Sequence, residues 1–224
     1  MKTLIIVRHG NTFLPEQTPT RVGGRTDLPL VEEKKGRAIG KYLVDNHIVL
    51  NKIYAAPLKR TMQTAQLVID EANLKQDIII DDNFREIDYG PDENKTENEV
   101  KLRLRKVYLK QHDMPTNISD EEIMKYGKQA ISSLDSEAVV PDGWIVVVKE
   151  IIKSWKEFSD KIDDNETVLI CTSNGIIRFA PPLLDEGYES FSQRNGGIKV
   201  STGSVSIFQN ENGKWACKEW NIKP

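Results

Sequence analysis

Four short apolar runs in this chain each end in a polar cluster that could handle a charged substrate. The clusters are Arg8-His9-Gly10-Asn11-Thr12, Ala56-Pro57-Leu58-Lys59-Arg60, Arg85-Glu86 and Thr172-Ser173-Asn174-Gly175. Together they supply guanidinium groups, one imidazole, one carboxylate and a polar turn whose free N–H groups we expect to open a helix. Catalysis of phosphoryl transfer depends mainly on positioning and on stabilising charge at the phosphoryl oxygens. The set of groups therefore suits that reaction.

The elements that must position these clusters follow an α/β pattern. The runs TLIIV, KIYAAP, DIII and ETVLICT are short and rich in strand-forming residues, and helical periodicity separates them, as in the segment from Glu32 to Asn46. We predict a three-layer α/β sandwich around a mostly parallel sheet, with a final β-hairpin from SVSIF and KWACKEW as its antiparallel edge. Ligands of open α/β sheets bind beyond the carboxyl ends of the strands, which is where the four clusters lie.

The chain of 224 residues is long enough for one sizeable core, so we predict a single domain over 1–224. Between residues 91 and 143 the charge density rises, and Ser119-Asp120-Glu121-Glu122 matches a helix capping box. This segment is predicted to be a helical insertion within the domain.

Composition excludes several classes of partner. A net charge of -3 gives no basic field for nucleic acid, and no run of about 18 apolar residues is present to span a membrane. The N-terminal MKTLIIVRHG is too short in its apolar part for a secretory signal, so we predict a cytoplasmic protein. Cys171 and Cys217 are expected to be reduced thiols. The three histidines lack metal-ligand spacing, and we predict neither a metal nor a cofactor.

The cluster sequences resemble motifs of one protein family. LIIVRHGNT resembles the signature of the histidine phosphatase superfamily, the group that includes the cofactor-dependent phosphoglycerate mutases. IYAAPLKRTMQTA is similar to the family's second-arginine motif, FREIDYG to its acid-glutamate motif and VLICTSNGIIR to its second-histidine motif. The matches occur in family order over residues 1–72, 78–90 and 167–220, and they leave the predicted insertion unmatched. The resemblance implies a phosphoglycerate mutase-like fold.

The resemblance also implies catalytic roles. His9 would accept the phosphoryl group, Arg8 and Arg60 would clamp its oxygens, and Glu86 would protonate the leaving alkoxide. These roles agree with the chemistry of the side chains, because imidazole is a nucleophile near neutral pH, a guanidinium fork matches phosphate oxygens, and a carboxylic acid can donate a proton.

The chain departs from the family at the turn after its last predicted parallel strand. Ser173 stands where most active members carry a second histidine that contacts the phosphoryl group. Ser173 and Asn174 can still offer hydroxyl and amide hydrogen bonds to phosphate, and Asn11 is a further candidate ligand of its oxygens. Tyr89 matches a position that touches substrate in the mutases. Loss of one preorganised donor typically reduces the rate by about 100- to 1,000-fold, so we expect reduced or specialised activity.

Three functions follow from this set of residues. The first is a phosphomonoester phosphatase that acts through a phosphohistidine at His9 on a small phosphorylated substrate. The second is a phosphoglycerate mutase-type isomerase, and the third is a degenerate phosphate-binding pseudoenzyme. Ser173 favours the third function, whereas the intact His9, Glu86 and two arginines oppose it. No nucleic acid or membrane partner is expected, and a homodimer is kept open as the oligomeric state.

Overall fold

The computed structural model describes residues 1–113, 118–132 and 140–224. This part of the chain forms six β-strands and seven α-helices. Their order is β1 (Lys2–Arg8), α1 (Lys34–Asp45), β2 (Lys52–Ala55), α2 (Lys59–Glu71), β3 (Ile78–Ile80), α3 (Glu97–His112), α4 (Asp120–Ser132), α5 (Val148–Asp160), β4 (Thr167–Thr172), α6 (Asn174–Ile177), α7 (Tyr188–Arg194), β5 (Val205–Glu211) and β6 (Lys214–Ile222).

The chain divides into two compact units. The first unit comprises Met1–Leu14, Leu28–Glu86 and Glu150–Pro224, and the second comprises Pro15–Asp27 and Ile87–Lys149. The described residues of the segment 91–143 fall in the second unit, together with part of the long polar loop that follows β1. The organisation as a single domain with an insertion stays a prediction.

The six strands of the first unit form one sheet in the order β3-β2-β4-β1-β5-β6. The first four strands are mutually parallel, and β5 and β6 add the antiparallel hairpin, so the predicted mostly parallel sheet is confirmed. The register pairs Arg8 with Thr172 and Ala55 with Cys171. The polar clusters that follow β1, β2 and β4 therefore meet at the same edge of the sheet.

Helices cover both faces of this sheet. Alternate strand residues such as Ile5, Val7 and Leu169 form one buried cluster with Ile39 of α1 and Val68 of α2. On the other face α5 packs through its aromatic residues: the Phe158 ring meets Tyr54 of β2 edge-on, and Trp155 meets Phe84 in the same way. Because strand side chains alternate between the two faces, these apolar runs are buried on both sides. The three layers predicted for the fold are confirmed.

The second unit is organised around a buried carboxylate. Asp92 is fully buried, and it accepts hydrogen bonds from Arg103 Nε at 2.6 Å, from Arg103 Nη2 at 2.7 Å and from Trp144 Nε1 at 2.6 Å. Gly90 and Gly143 both have positive φ, and a Cβ atom at Gly90 would lie 1.9 Å from the Gly143 carbonyl oxygen. Only glycine tolerates such a close approach of two backbone segments.

The capping box predicted from the sequence begins α4. The Glu122 N–H donates to Ser119 Oγ at 3.2 Å, and the Ser119 N–H donates to Glu122 Oε2 at 3.0 Å. Thr96 and Glu99 form a second reciprocal pair at the start of α3. These caps satisfy N–H groups that have no partner within the helix.

No helix within the described ranges is both long and apolar enough to cross a membrane. Cys171 and Cys217 are both free thiols.

Candidate active site

His9 occupies a buried position just beyond the end of β1. The whole residue is 7% exposed, and its backbone N–H donates to the Thr172 carbonyl at 3.1 Å. The ring nitrogen Nδ1 lies 2.8 Å from the Gly10 carbonyl oxygen. A carbonyl oxygen can only accept a hydrogen bond, so this contact assigns the proton of the neutral ring to Nδ1. Nε2 is left with its lone pair, which is the arrangement that a nucleophilic imidazole requires.

The surroundings of His9 favour the uncharged ring. Burial lowers its pKa well below 6.5, and the positive charges of Arg60 and Arg8 lower it further, while the hydrogen bond to the Gly10 carbonyl acts in the opposite direction. A smaller contribution from the charge of Lys35 also lowers this pKa. The imidazole is therefore an unprotonated base at neutral pH.

Arg60 is fully buried in the first turn of α2. Thr64, one turn further along, connects this helix to the loop after β1: its Oγ1 accepts from the Gly10 N–H at 3.0 Å and donates to the Arg60 carbonyl at 2.7 Å. The sequence analysis did not identify Thr64. Its spacing of four residues from Arg60 puts both on one side of the helix, and this spacing could have indicated it.

Glu86 approaches the turn after β4. Its Oε2 accepts a hydrogen bond from the Gly175 N–H at 3.2 Å. The prediction that this turn presents free N–H groups is therefore wrong at Gly175, whose N–H is already used. The helix that begins at Asn174 ends at Ile177, so it is one turn long and has few aligned peptide dipoles.

Ser173 is fully buried at the start of α6, but it does not cap the helix with its side chain. The N–H groups of Ile176 and Ile177 bond to its carbonyl oxygen instead. Its Oγ has no hydrogen-bond partner among the residues that the structure describes. A buried hydroxyl without a partner is unfavourable in a folded protein, so this one requires an explanation.

Arg8 and Asn174 are connected through one residue of the loop before β5. Arg8 Nη1 donates to the Val200 carbonyl at 2.5 Å, and the Val200 N–H donates to Asn174 Oδ1 at 3.0 Å. This loop therefore fixes a guanidinium from β1 and an amide from the turn after β4. Sequence reasoning missed Val200 because its contribution comes from the backbone.

Asn11 and Tyr89 have different surroundings. Asn11 Nδ2 donates to Glu32 at 3.0 Å, and its Oδ1 accepts from Lys35 at 3.0 Å and from Thr202 at 2.6 Å.

Tyr89 belongs to the second unit, where it is buried edge-on against the Trp144 ring. Its proposed contact with substrate stays a prediction. The other predicted site residues, Arg8, His9, Asn11, Arg60, Glu86, Ser173 and Asn174, all lie in the first unit.

One large cavity of the first unit lies away from these residues. It has a volume of about 700 Å³ and is lined by Met1 and Lys2 at the beginning of β1, by Asn212 and Gly213 of the β5–β6 turn and by Trp215 of β6, among others. None of the predicted site residues lines it. The chemistry-bearing residues are thus at the opposite ends of the parallel strands.

Known proteins resemble this chain in sequence and in fold. The family model of the histidine phosphatase superfamily (branch 1) matches residues 4–223. Sedoheptulose 1,7-bisphosphatase of Saccharomyces cerevisiae is 34% identical over 125 residues, which make up 51% of this chain and only 45% of that enzyme.

Two solved structures share the fold. A phosphoglycerate mutase from Bacillus anthracis has a TM-score of 0.75 at 22% identity, covering 98% of this chain and 92% of that one. A phosphoserine phosphatase from Entamoeba histolytica, in complex with 3-phosphoglyceric acid, has a TM-score of 0.69 at 18% identity, covering 99% and 98%. Since the family model spans nearly the whole sequence, the chain belongs to the histidine phosphatase superfamily.

Proposed function

We propose that this protein is a phosphomonoester phosphatase that transfers the phosphoryl group of a small substrate first to His9 and then to water. The observation that carries the proposal is the state of His9. Its Nδ1 is bonded to the Gly10 carbonyl, its pKa is held low by burial and two arginines, and Nε2 keeps a lone pair.

In the first step Nε2 of His9 attacks the phosphorus atom, and the bond from phosphorus to the ester oxygen breaks. Glu86, as a carboxylic acid, gives its proton to the departing alkoxide, which leaves as an alcohol. Arg8 and Arg60 stabilise the negative charge on the phosphoryl oxygens.

In the second step a water molecule attacks the phosphorus atom of phosphohistidine, and the phosphorus–nitrogen bond breaks. The Glu86 carboxylate accepts a proton from this water, and inorganic phosphate is released. His9 returns to its neutral form with the proton still on Nδ1. The two steps together hydrolyse one phosphate ester and restore the enzyme.

The relatives support phosphate esters as the substrate class but leave two enzymatic outcomes. The sequence relative from yeast is named as a bisphosphatase, and one structural neighbour is named as a mutase. A mutase must return the phosphoryl group to a second hydroxyl of its substrate, whereas a phosphatase must admit water. The mutases close their site with a basic insertion. Asn94-Lys95-Thr96-Glu97 resembles it only slightly and at a different spacing from Gly90, so we rank hydrolysis first.

The proposal is tested with a panel of phosphomonoesters that includes sugar phosphates, sugar bisphosphates, phosphoserine and 3-phosphoglycerate. Phosphate release is measured for the wild type and for His9→Ala. In parallel, a labelled phosphoryl group is sought on the quenched protein, where phosphohistidine is recognised because it is labile in acid and stable in base. We expect release and labelling by the wild type only.

Different outcomes separate the alternatives. Transfer of label from one phosphoglycerate isomer to the other, without release, would assign the mutase reaction. If wild type and His9→Ala are equally inactive over the whole panel while both bind phosphate, the enzymatic proposal is wrong.

The second candidate function is a phosphate-binding module without turnover. The specific observation in its favour is the turn after β4, where Ser173 replaces the family's second histidine and the Gly175 N–H is already bonded to Glu86. The turn therefore offers fewer hydrogen-bond donors to the phosphoryl oxygens than an active member of the family has. The inactivity described above, combined with phosphate binding, is the result that this candidate predicts.

A further inference from the structure

A second cavity of the first unit is lined by cationic side chains. Its volume is about 390 Å³, and its walls come from Arg8 of β1, Lys35 and Ala38 of α1, the loop of residues 201–203 before β5, and Lys223 and Pro224 after β6. We call it the basic cavity. None of the residues that line it is an aspartate or a glutamate.

The cations of the basic cavity are close enough to affect one another. Burial lowers the pKa of Lys35, the charges of Arg8 and Lys223 lower it further, and the Glu32 carboxylate acts in the opposite direction. Lys223 has no ion-pair partner among the described residues. Converging like charges are unfavourable unless an anion joins them.

The Lys35 ammonium is fixed by uncharged oxygens. It donates to Asn11 Oδ1 at 3.0 Å and to Thr202 Oγ1, and Thr202 in turn donates to the same Asn11 oxygen at 2.6 Å. An ammonium has three donors, so one remains after these two contacts. Gly203 permits this placement, because it has a φ of +72° and a Cβ atom there would lie 2.6 Å from Lys35 Cβ.

We infer that the basic cavity binds a phosphate group in a position distinct from the one attacked by His9. The chemistry points to phosphate because a guanidinium and two ammonium groups meet there beside the Ser201 hydroxyl, which suits an anion of charge about -2 with several oxygens. The volume exceeds that of phosphate alone and falls within the range of small-molecule sites, which is about 300–1,000 Å³.

The inference goes beyond the proposed function, since it concerns binding and holds whether or not His9 transfers phosphate. Arg8 belongs to both sites: it lowers the pKa of His9 and lines the basic cavity. A phosphate in the cavity would therefore change the field at the imidazole. Either of two compounds could supply the phosphate group in the cavity: the substrate itself, through a second phosphate, or a separate phosphorylated compound.

The first test is calorimetric titration of the full chain with inorganic phosphate. Lys35→Met and Lys223→Met remove the cavity's ammonium groups, and Lys34→Met is the matched control, since Lys34 is an exposed neighbour on α1 that does not line the cavity. We expect two phosphate sites in the wild type and in Lys34→Met. Each cavity variant should weaken one of the two sites by about tenfold or more.

Equal stoichiometry and equal affinities in all four proteins would overturn the inference. Thermal unfolding of each variant checks that it is folded, and Lys223, which is exposed, provides a variant that does not disturb packing. Because this assay measures binding without turnover, its result is independent of whether the phosphatase proposal succeeds.

The second test separates the two sources. The KM values of a sugar bisphosphate and of the matching monophosphate are compared in Lys223→Met and Lys34→Met. A rise in the ratio of bisphosphate to monophosphate KM, in Lys223→Met alone, assigns the cavity to the second phosphate of the substrate. An unchanged ratio, together with the lost phosphate site, assigns it to a separate phosphorylated compound.

Discussion

The pairing of buried polar groups differs between the Asp92 cluster of the second unit and the region of His9 and Ser173 in the first unit. In the second unit, the buried Asp92 carboxylate accepts three hydrogen bonds, two of them from one guanidinium. In the first unit, the Ser173 hydroxyl is equally buried and has no partner among the described residues, and the His9 ring uses only one of its two nitrogens.

We interpret this difference as one between a structural polar group and a group whose proposed role is to bind a ligand. A buried group whose hydrogen bonds are all made contributes to holding the chain in one conformation, and its loss leaves partners unpaired. A buried group that lacks a partner carries an unfavourable free energy that a ligand could remove. The following predictions address this distinction, from the largest expected effect to the smallest.

Asp92→Ala should produce the largest loss of stability. It leaves the Arg103 guanidinium and the Trp144 N–H without their common acceptor, and breaking a buried ion pair from one side typically costs about 3–5 kcal/mol. Chemical denaturation of the variant measures the change, with Glu121→Ala as a control at an exposed acid of the same unit. A loss below about 1 kcal/mol would show that Asp92 is not the structural centre that its contacts indicate.

Arg60→Met should reduce kcat/KM by about 100- to 1,000-fold, because a preorganised positive group next to the transferring phosphoryl is lost. The pKa of His9 should also rise, since Arg60 is the largest electrostatic contribution that lowers it. Arg60→Lys separates these effects: it keeps the charge but not the planar fork, so the rate should fall while the acid limb of the pH–rate profile stays in place. Equal shifts of the acid limb in both variants would contradict this division.

The unfolding free energy should decrease as the pH falls below about 6.5. The pKa of His9 is about 6.5 in the unfolded chain and lower in the folded one, so below this pH the unfolded state binds a proton that the folded state does not. The contribution of His9 to the unfolding free energy is fully present at pH values above its pKa in the unfolded chain. It is lost as the pH falls toward its pKa in the folded protein, with a slope of up to about 1.4 kcal/mol per pH unit.

Denaturation curves of wild type and His9→Gln between pH 7.5 and 4.5, an interval that brackets the unfolded value of about 6.5, isolate this slope by difference. Carboxylates that titrate in both proteins cancel. A wild type no more sensitive to acid than His9→Gln over this interval would mean that the imidazole is solvated in the folded protein.

The sequence predicted most of the first unit because its signals are local. Buried parallel strands such as Val168–Thr172 appear as apolar runs, and the residues after them mark the edge where ligands bind. The contacts of Val200 with Arg8 and Asn174 could not be predicted, since they join the Val200 backbone to side chains of segments far apart in the chain. Nothing in the sequence around Gly175 indicates that Glu86 occupies its N–H. Such pairings depend on the packing of the whole unit.

Ser173→Ala should have the smallest effect on stability. The sign of its change in unfolding free energy distinguishes most directly between a buried group with a hydrogen-bond partner and one without. The substitution removes a hydroxyl without breaking a hydrogen bond of the described chain, so the unfolding free energy should stay within about 0.5 kcal/mol of the wild type or rise. Ser206→Ala is the matched control: Ser206 is also buried, but its hydroxyl accepts from the Asn221 N–H at 3.0 Å, and its removal should cost about 1–3 kcal/mol. If Ser173 Oγ donates to a bound phosphate, Ser173→Ala should also lower kcat/KM by up to about tenfold, the equivalent of one neutral hydrogen bond. A Ser173→Ala protein as unstable as Ser206→Ala, with unchanged kinetics, would instead make Ser173 a structural residue and leave the phosphate site to the arginines, His9 and Glu86.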